Sequence, residues 1–306
     1  MRFPTLFRAG VTGKLMQALT ALACLVIAAM AAIIMGNILW NGVGRISWEF
    51  LSQAPREHFT QGGIFPAIFG TAALVILMTI AVIPLGVATA VYMHEYAPKG
   101  SRLVHLVRMA IQNLAGVPAI VFGLFGVGFF IEFIGRGVDR ALFGGRLVYG
   151  QPAILWAALT MALLTLPTVV VATEEALRAI PASYREVAYS LGATRWQMIR
   201  KVVLPQAAGG ILTGGILAVS RGSGEVAPVM FTGAAYSLAH LPTRLNDQFM
   251  ELGYHVYVMT TQAFDVEATK PALYSTVLVL LLLTFMLNFT AIMIRAQIRK
   301  RQRYAR

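Results

Sequence analysis

Long apolar stretches alternate along the chain with short polar, mostly basic ones. Six of the apolar stretches, roughly 17–40, 66–92, 104–131, 149–172, 208–233 and 271–294, meet the need for about 20 apolar residues to cross a bilayer. Between the fourth and fifth lies a polar stretch from Glu174 to Pro205, EEALRAIPASYREVAYSLGATRWQMIRKVVLP. Pro181-Ala182-Ser183 predicts a helix start, and Tyr184–Leu191 a short helix with Glu186 in its first turn. Gly192 suits the left-handed residue that ends a helix. A second short helix is expected over Trp196–Leu204, stopped by Pro205. Two short helices around a glycine elbow form a compact knob of the kind that docks in a partner's groove. An ordinary basic loop on the inner membrane face is the other reading.

Prolines and glycines punctuate the spans. Pro66 falls in the first turn of the second span, where proline is tolerated, and Pro84 predicts a kink further along. Asn113–Gly128 (NLAGVPAIVFGLFGVG) has enough small residues for helix backbones to approach closely, with Pro118 placed inside the third span. Tight packing in a bundle and direct substrate contact both remain open for it. Gly210 and Gly214 have the small-x-x-x-small spacing of a packing face, including one against a second subunit. The loop from Asn41 to Phe65 carries Trp48, Phe50 and Phe59 as interface anchors. The long segment Ala234–Lys270 is expected to hold a short interfacial helix that meets an external partner.

Composition agrees with the pattern: of 306 residues, 58% are hydrophobic and 12% charged, against roughly 25% charged in soluble domains. The single cysteine, Cys24, excludes an internal disulfide, and the apolar run around it is too long for a cleaved signal core. A net charge of +12 raises the question of nucleic acid, but the cations are concentrated in alternate segments, which is a topology signal. Arg2, Arg8 and Lys14 precede the first span, and 93–103, 173–207 and 295–306 carry most of the other cations. The intervening loops hold most of the acids, including Glu49, Glu57, Asp139, Asp247 and Glu251. Both termini are therefore expected in the cytoplasm.

One site places charge inside an apolar segment: Ser220-Arg221-Gly222-Ser223-Gly224-Glu225, in the middle of the predicted fifth span. A central Arg costs on the order of 2.5–3.5 kcal/mol on insertion scales. Arg221 and Glu225 are four apart and can pair on a helix face, which offsets part of that cost without explaining why both are present. Gly222 and Gly224 predict a bend or a close backbone approach. Two readings follow: a polar cluster lining a translocation pathway, with Arg221 attracting an oxyanion such as phosphate, or a buried ion pair that fixes helix register.

The polar stretch resembles the coupling loop of ABC importer permeases. In it Glu186-Val187-Ala188, three residues, Gly192, nine residues and Val202-Val203-Leu204-Pro205 keep that loop's spacing. GGIFPAIFGT (62–71), NLAGVPAIVFGLFG (113–126) and SRGSGEVAPVMFTGA (220–234) resemble the phosphate-specific permeases of that superfamily, the PstA class more than the PstC class. The resemblance covers most of the chain from about Gly62 onward. It implies an all-α, six-helix membrane bundle with the type I ABC importer permease (MetI-like) fold. The implied layout is an N-terminal tail, first helix and outer loop over 1–65, a permease core over 66–294 with the coupling loop at 174–205, and a basic tail over 295–306.

The resemblance implies that Arg221 and Glu225 belong to the phosphate pathway, and that Glu186, Val187, Ala188, Gly192, Leu204 and Pro205 form the ATPase coupling site. Val226 stands where a Thr is common in that family, so any role for that hydroxyl is absent. Implied partners are a PstC-like permease, a PstB-like ATPase dimer, a periplasmic phosphate-binding protein and the lipid bilayer. ATP-driven closure of the ATPase dimer would move the coupling loops and open the pathway outward. No G-x-x-x-x-G-K-[ST] phosphate loop occurs in the sequence, so no ATP hydrolysis of that kind, no cofactor and no metal site are expected. His94 and His105 read as isolated interfacial residues. Rival readings are a permease for molybdate or sulfate, an ion-gradient-driven transporter, for which no second polar span is evident, and a membrane anchor for signalling.

Overall fold

The computed structural model describes residues 11–56, 59–98, 100–238 and 240–304. The cationic positions Arg2, Arg8 and Lys99, the acid Glu57 and the final Arg306 of the charge pattern lie outside them. Among the described residues, six helical segments are long and apolar enough to cross a membrane: Gly13–Arg45, Phe65–Tyr96, Ala119–Leu142, Ile154–Arg178, Arg195–Gly222 and Val266–Ile298. The helices in chain order are α1 (Val11–Gly42), α2 (Trp48–Ser52), α3 (Phe65–Val91), α4 (Arg102–Leu114), α5 (Ala119–Phe125), α6 (Arg136–Leu142) and α7 (Ile154–Arg178). They continue with α8 (Ala182–Ser190), α9 (Arg195–Met198), α10 (Leu204–Gly222), α11 (Ala227–Thr232), α12 (Leu252–Thr261) and α13 (Val266–Tyr304). π-helical turns extend α3 over Tyr92–Tyr96, join α5 to α6 over Gly126–Gly135 and join α9 to α10 over Ile199–Val203. A two-residue antiparallel hairpin pairs Pro55 with Gly62 and Arg56 with Gln61.

α7 is the centre of the bundle. Two thirds of its apolar window (67%) is buried, against none of the window of α1. Small residues let its neighbours approach: a Cβ on Gly86 of α3 would meet Val169 at 2.7 Å, and one on Gly214 of α10 would meet the Ala172 Cβ at 2.9 Å. The Gly210/Gly214 face is therefore used within the chain, against Ala172 and Ala176 of α7, rather than against a second subunit. α1 packs along α13, where Ser275 donates a hydrogen bond to the Gly42 carbonyl at 2.6 Å. Its large apolar side chains face outward, as a lipid-facing helix permits, and Cys24 is exposed among them.

Among the described residues there are four apolar cores, one formed by Phe130, Ile131, Ala153 and Trp156, and the other three follow one another along the bundle. The middle one joins Leu74, Met78, Val82, Met161, Val169, Ala218, Val229 and Phe249. At one end Ala90, Met93, Leu177, Met198, Ile199 and Val203 pack under the polar stretch. At the other end Phe50, Phe59, Met250, Leu252, Val258 and Met259 pack together. Phe50 and Phe59 are thus core residues and not interface anchors, while Trp48 is exposed.

Two expected spans and one expected helix end are corrected. The third span does not run through 104–131: α4 is a separate amphipathic helix, and Pro118 sits at the boundary as the N-cap of α5. Proline disfavours helix in the residue before it, so an unbroken apolar run still divides there. The fifth span is not 208–233, because it begins at Arg195 and ends at Gly222. Pro205 does not stop the second helix of the polar stretch. It lies in the first turn of α10, where its missing N–H is harmless, and the helix runs on. The segment 234–270 does contain a helix, α12, but Leu252, Gly253, His255, Val258 and Met259 on it are buried within the chain.

Candidate functional site

The polar stretch folds as a knob at one end of the bundle. Pro181 caps α8, and Gly192 turns the chain with φ +77°. A Cβ on Gly192 would meet nothing within 4 Å, so it is the backbone conformation that calls for glycine. The next helix starts with a capping box: the Thr194 hydroxyl accepts from the Gln197 N–H at 3.3 Å, and the Gln197 side chain accepts from the Thr194 N–H at 2.9 Å. Ala188, Met198, Ile199 and Val203 face inward and hold the knob to the bundle. Outward, Val187 is 58% and Leu191 83% exposed, and Glu186 and Trp196 are exposed beside them. An apolar groove lies between Tyr184, Val187, Ala188, Leu191 and Val202. Of the expected coupling residues, Glu186, Val187 and Pro205 are exposed, Leu204 is half-buried, Ala188 is buried and Gly192 sets the elbow.

The charged cluster sits at a helix break rather than inside a helix. α10 ends at Gly222, the chain turns through Ser223–Val226, and α11 begins at Ala227 with Pro228 in its first turn. Arg221 Nε lies 3.6 Å from Glu225 Oε1, with the two side chains 41% and 26% exposed. The break is held by close packing. A Cβ on Gly222 would fall 2.5 Å from Met78 Sδ of α3, and one on Gly123 of α5 would fall 3.1 Å from the Pro228 Cα. Gly126 abuts Thr160 and Thr232. The glycines of 113–128 that make such contacts are thus packing positions for α11. Gly224, by contrast, is exposed with open space beside it.

Sequence reading missed the ion pairs behind the knob. Glu95, at the end of the second span, accepts from Arg185 of α8 at 2.7 Å and from the ring of His94 at 3.0 Å, so His94 is not isolated. Glu174 of α7 is paired with Arg108 of α4 and with Arg178. A buried carboxylate in an apolar helix end signals a partner, but the partner of Glu95 lies 90 residues away in sequence. Among the described residues no cluster of His, Cys, Asp and Glu could hold a metal.

Residues 82–304 match the family described as the binding-protein-dependent transport system inner membrane component. The chain belongs to this family. It is a permease subunit of an ABC importer, a multi-pass inner-membrane protein without catalytic activity of its own, which works with an ATPase and a binding protein. A probable ABC transporter permease protein, YqgI of Bacillus subtilis (strain 168), is 32% identical over 72% of this chain and 70% of its own length. The phosphate transport system permease protein PstA of Xylella fastidiosa (strain 9a5c) is 32% identical over 80% of each chain. Its counterpart in Haemophilus influenzae is 31% identical over 76% of each. Among solved structures, a bacterial alginate ABC transporter superposes with TM-score 0.62 at 15% identity, covering 95% of this chain and 97% of that one. The MetNI methionine transporter gives 0.56 at 17% identity, over 76% and 94%. These structures share the type I importer fold expected from the sequence.

Proposed function

We propose that this chain is the PstA-type permease of an ATP-driven phosphate importer, with the anion passing the Arg221–Glu225 turn and the ATPase docking on the knob of α8 and α9. Permeases named PstA at 31–35% identity support the substrate. The observation that carries the reading is the break in the fifth span. It leaves a guanidinium 41% exposed, with a 3.6 Å ion pair to Glu225 as its contact among the described residues, beside the open space at Gly224. Arginine's fixed fork of donors suits a tetrahedral oxyanion. Glu225 limits the net positive charge at the turn, so a bound anion can leave again.

The partners of this reading are a PstC-like second permease, two copies of a PstB-like ATPase at the knob and a periplasmic phosphate-binding protein at the opposite end. The knob end and both termini then face the cytoplasm, in keeping with the cations concentrated there. Uptake of radiolabelled phosphate into proteoliposomes holding the whole transporter tests it. Arg221→Gln is expected to lower uptake roughly 10- to 100-fold, as loss of a hydrogen bond to a charged group would, while the complex still assembles. Normal uptake in that variant, or competition by molybdate or sulfate stronger than by phosphate, would overturn the assignment.

A further inference from the structure

We propose that Glu95 is a positioning residue of the transport cycle: through Arg185 it fastens the ATPase-docking helix α8 to the span that packs against the polar turn. The inference rests on the docking role of the knob and adds a route, beside the continuous helix from Arg195 to Gly222, by which a movement there reaches Arg221.

Four pieces of chain meet at this junction. The Glu95 side chain is 6% exposed and that of Arg185 18%. Arg185 reaches the carboxylate through Nη2 at 2.7 Å and Nε at 3.1 Å. The same guanidinium donates to the carbonyls of Leu177 and Ile180, at 3.1 and 3.0 Å, where α7 ends. From α9, Arg195 lies 5.0 Å over the Tyr96 ring and donates to the Glu95 carbonyl. Breaking such a buried pair from one side leaves an uncompensated charge, so the junction holds as a unit. A cation stacked on a ring adds a second tie between the knob and the same helix end.

α3 carries the connection onward. Helix continues without interruption from Phe65 to Tyr96, closing with the π-helical turn that contains Glu95. At 1.5 Å per residue, Met78 lies about 25 Å from Glu95 along that rod. Met78 is fully buried and rests on Gly222, the residue after Arg221. Close-packed contacts of this kind transmit displacement rather than absorb it. A shift of α8 that carries Glu95 therefore moves the surface on which the polar turn is packed.

The test uses the complete transporter in proteoliposomes, with ATPase recovery, ATP hydrolysis and radiolabelled phosphate uptake measured together. Glu95→Gln and Arg185→Gln should each retain the ATPase but lower phosphate taken up per ATP at least tenfold. The double variant should be no worse than either single one, since residues acting as a unit do not add. Arg185→Lys keeps the charge but cannot bridge the carboxylate and both carbonyls, so its ratio should fall between wild type and Arg185→Gln. That milder variant decides the matter if the glutamine variants fail to assemble. An unchanged ratio in the assembled variants, or additive losses, would overturn the junction while the docking reading stood. Failure of the wild-type chain to recover an ATPase would instead refute the docking reading, and this inference with it.

Discussion

Gly192 shows how one residue can be required for its backbone alone. Its φ of +77° is in the left-handed region, and there is open space where a side chain would go. An L-residue there costs about 1–2 kcal/mol. Gly192→Asp should therefore realign α8 against α9, and a pull-down from detergent-solubilised membranes should lose the ATPase that the intact chain recovers. Glu251 and His255 form a different kind of site. Burial pushes the Glu251 carboxyl up to about 7, against the Gly253 and Tyr254 N–H groups that pull it down. Burial also pushes the His255 ring down to about 4, edge-on to Phe59. The raised carboxyl adds stability below about pH 4.5 that is lost as pH rises through 7. The depressed imidazole adds stability above about pH 6.5 that is lost as pH falls through 4. The two slopes oppose each other between about pH 4.5 and 6.5 and largely cancel in the wild type. Melting curves against pH should unmask them: Glu251→Gln should leave stability rising with pH, and His255→Phe should leave it falling. Each limb is at most on the order of 3 kcal/mol.

At the scale of elements, the fifth apolar stretch is two helices joined by a turn, not one span. The glycines around that turn are not equivalent, and substitution should separate them. Gly222→Val would press a side chain onto Met78 and should destabilise the protein by about 1–3 kcal/mol, with transport lost alongside. Gly224→Ala enters open space and should change stability by no more than about 0.5 kcal/mol. Thermal melting in detergent reads both. The Arg221/Glu225 spacing was legible in the sequence as an i, i+4 pair, yet the pair spans a turn, because Gly222, Ser223 and Gly224 weaken the helix where α3 holds its end. α4 was hidden for a related reason: its apolar face continues the hydrophobic run of α5, and only its amphipathic pattern, with Arg102, His105 and Arg108 on it, separates the two.

Over the whole molecule, α7 is surrounded and α1 is left at the edge, with an apolar surface suited to lipid. The knob lies at the end of the bundle where α3, α4 and α7 converge. Glu174 with Arg108 ties α7 to α4 there, and Glu95 with Arg185 ties the end of the second span to α8 of the knob. The polar turn lies further along the bundle, packed on α3 and α5. The knob and the charged turn thus pack against different stretches of one continuous helix, Phe65–Tyr96, which carries no charge between Phe65 and Val91.

The sequence by itself determined what depends on local chemistry and length: six apolar segments, the glycine elbow, the spacing within 174–205 and the i, i+4 placement of Arg221 and Glu225. Hydropathy and backbone preference act over a few turns of chain, so they can be read from a single stretch. Only the tertiary structure decided where apolar runs break, which glycines are contact points and which charges meet. Glu95 and Arg185 share no local pattern, and neither do Met78 and Gly222. Their pairings follow from how the helices pack around α7, which no stretch of the chain encodes alone.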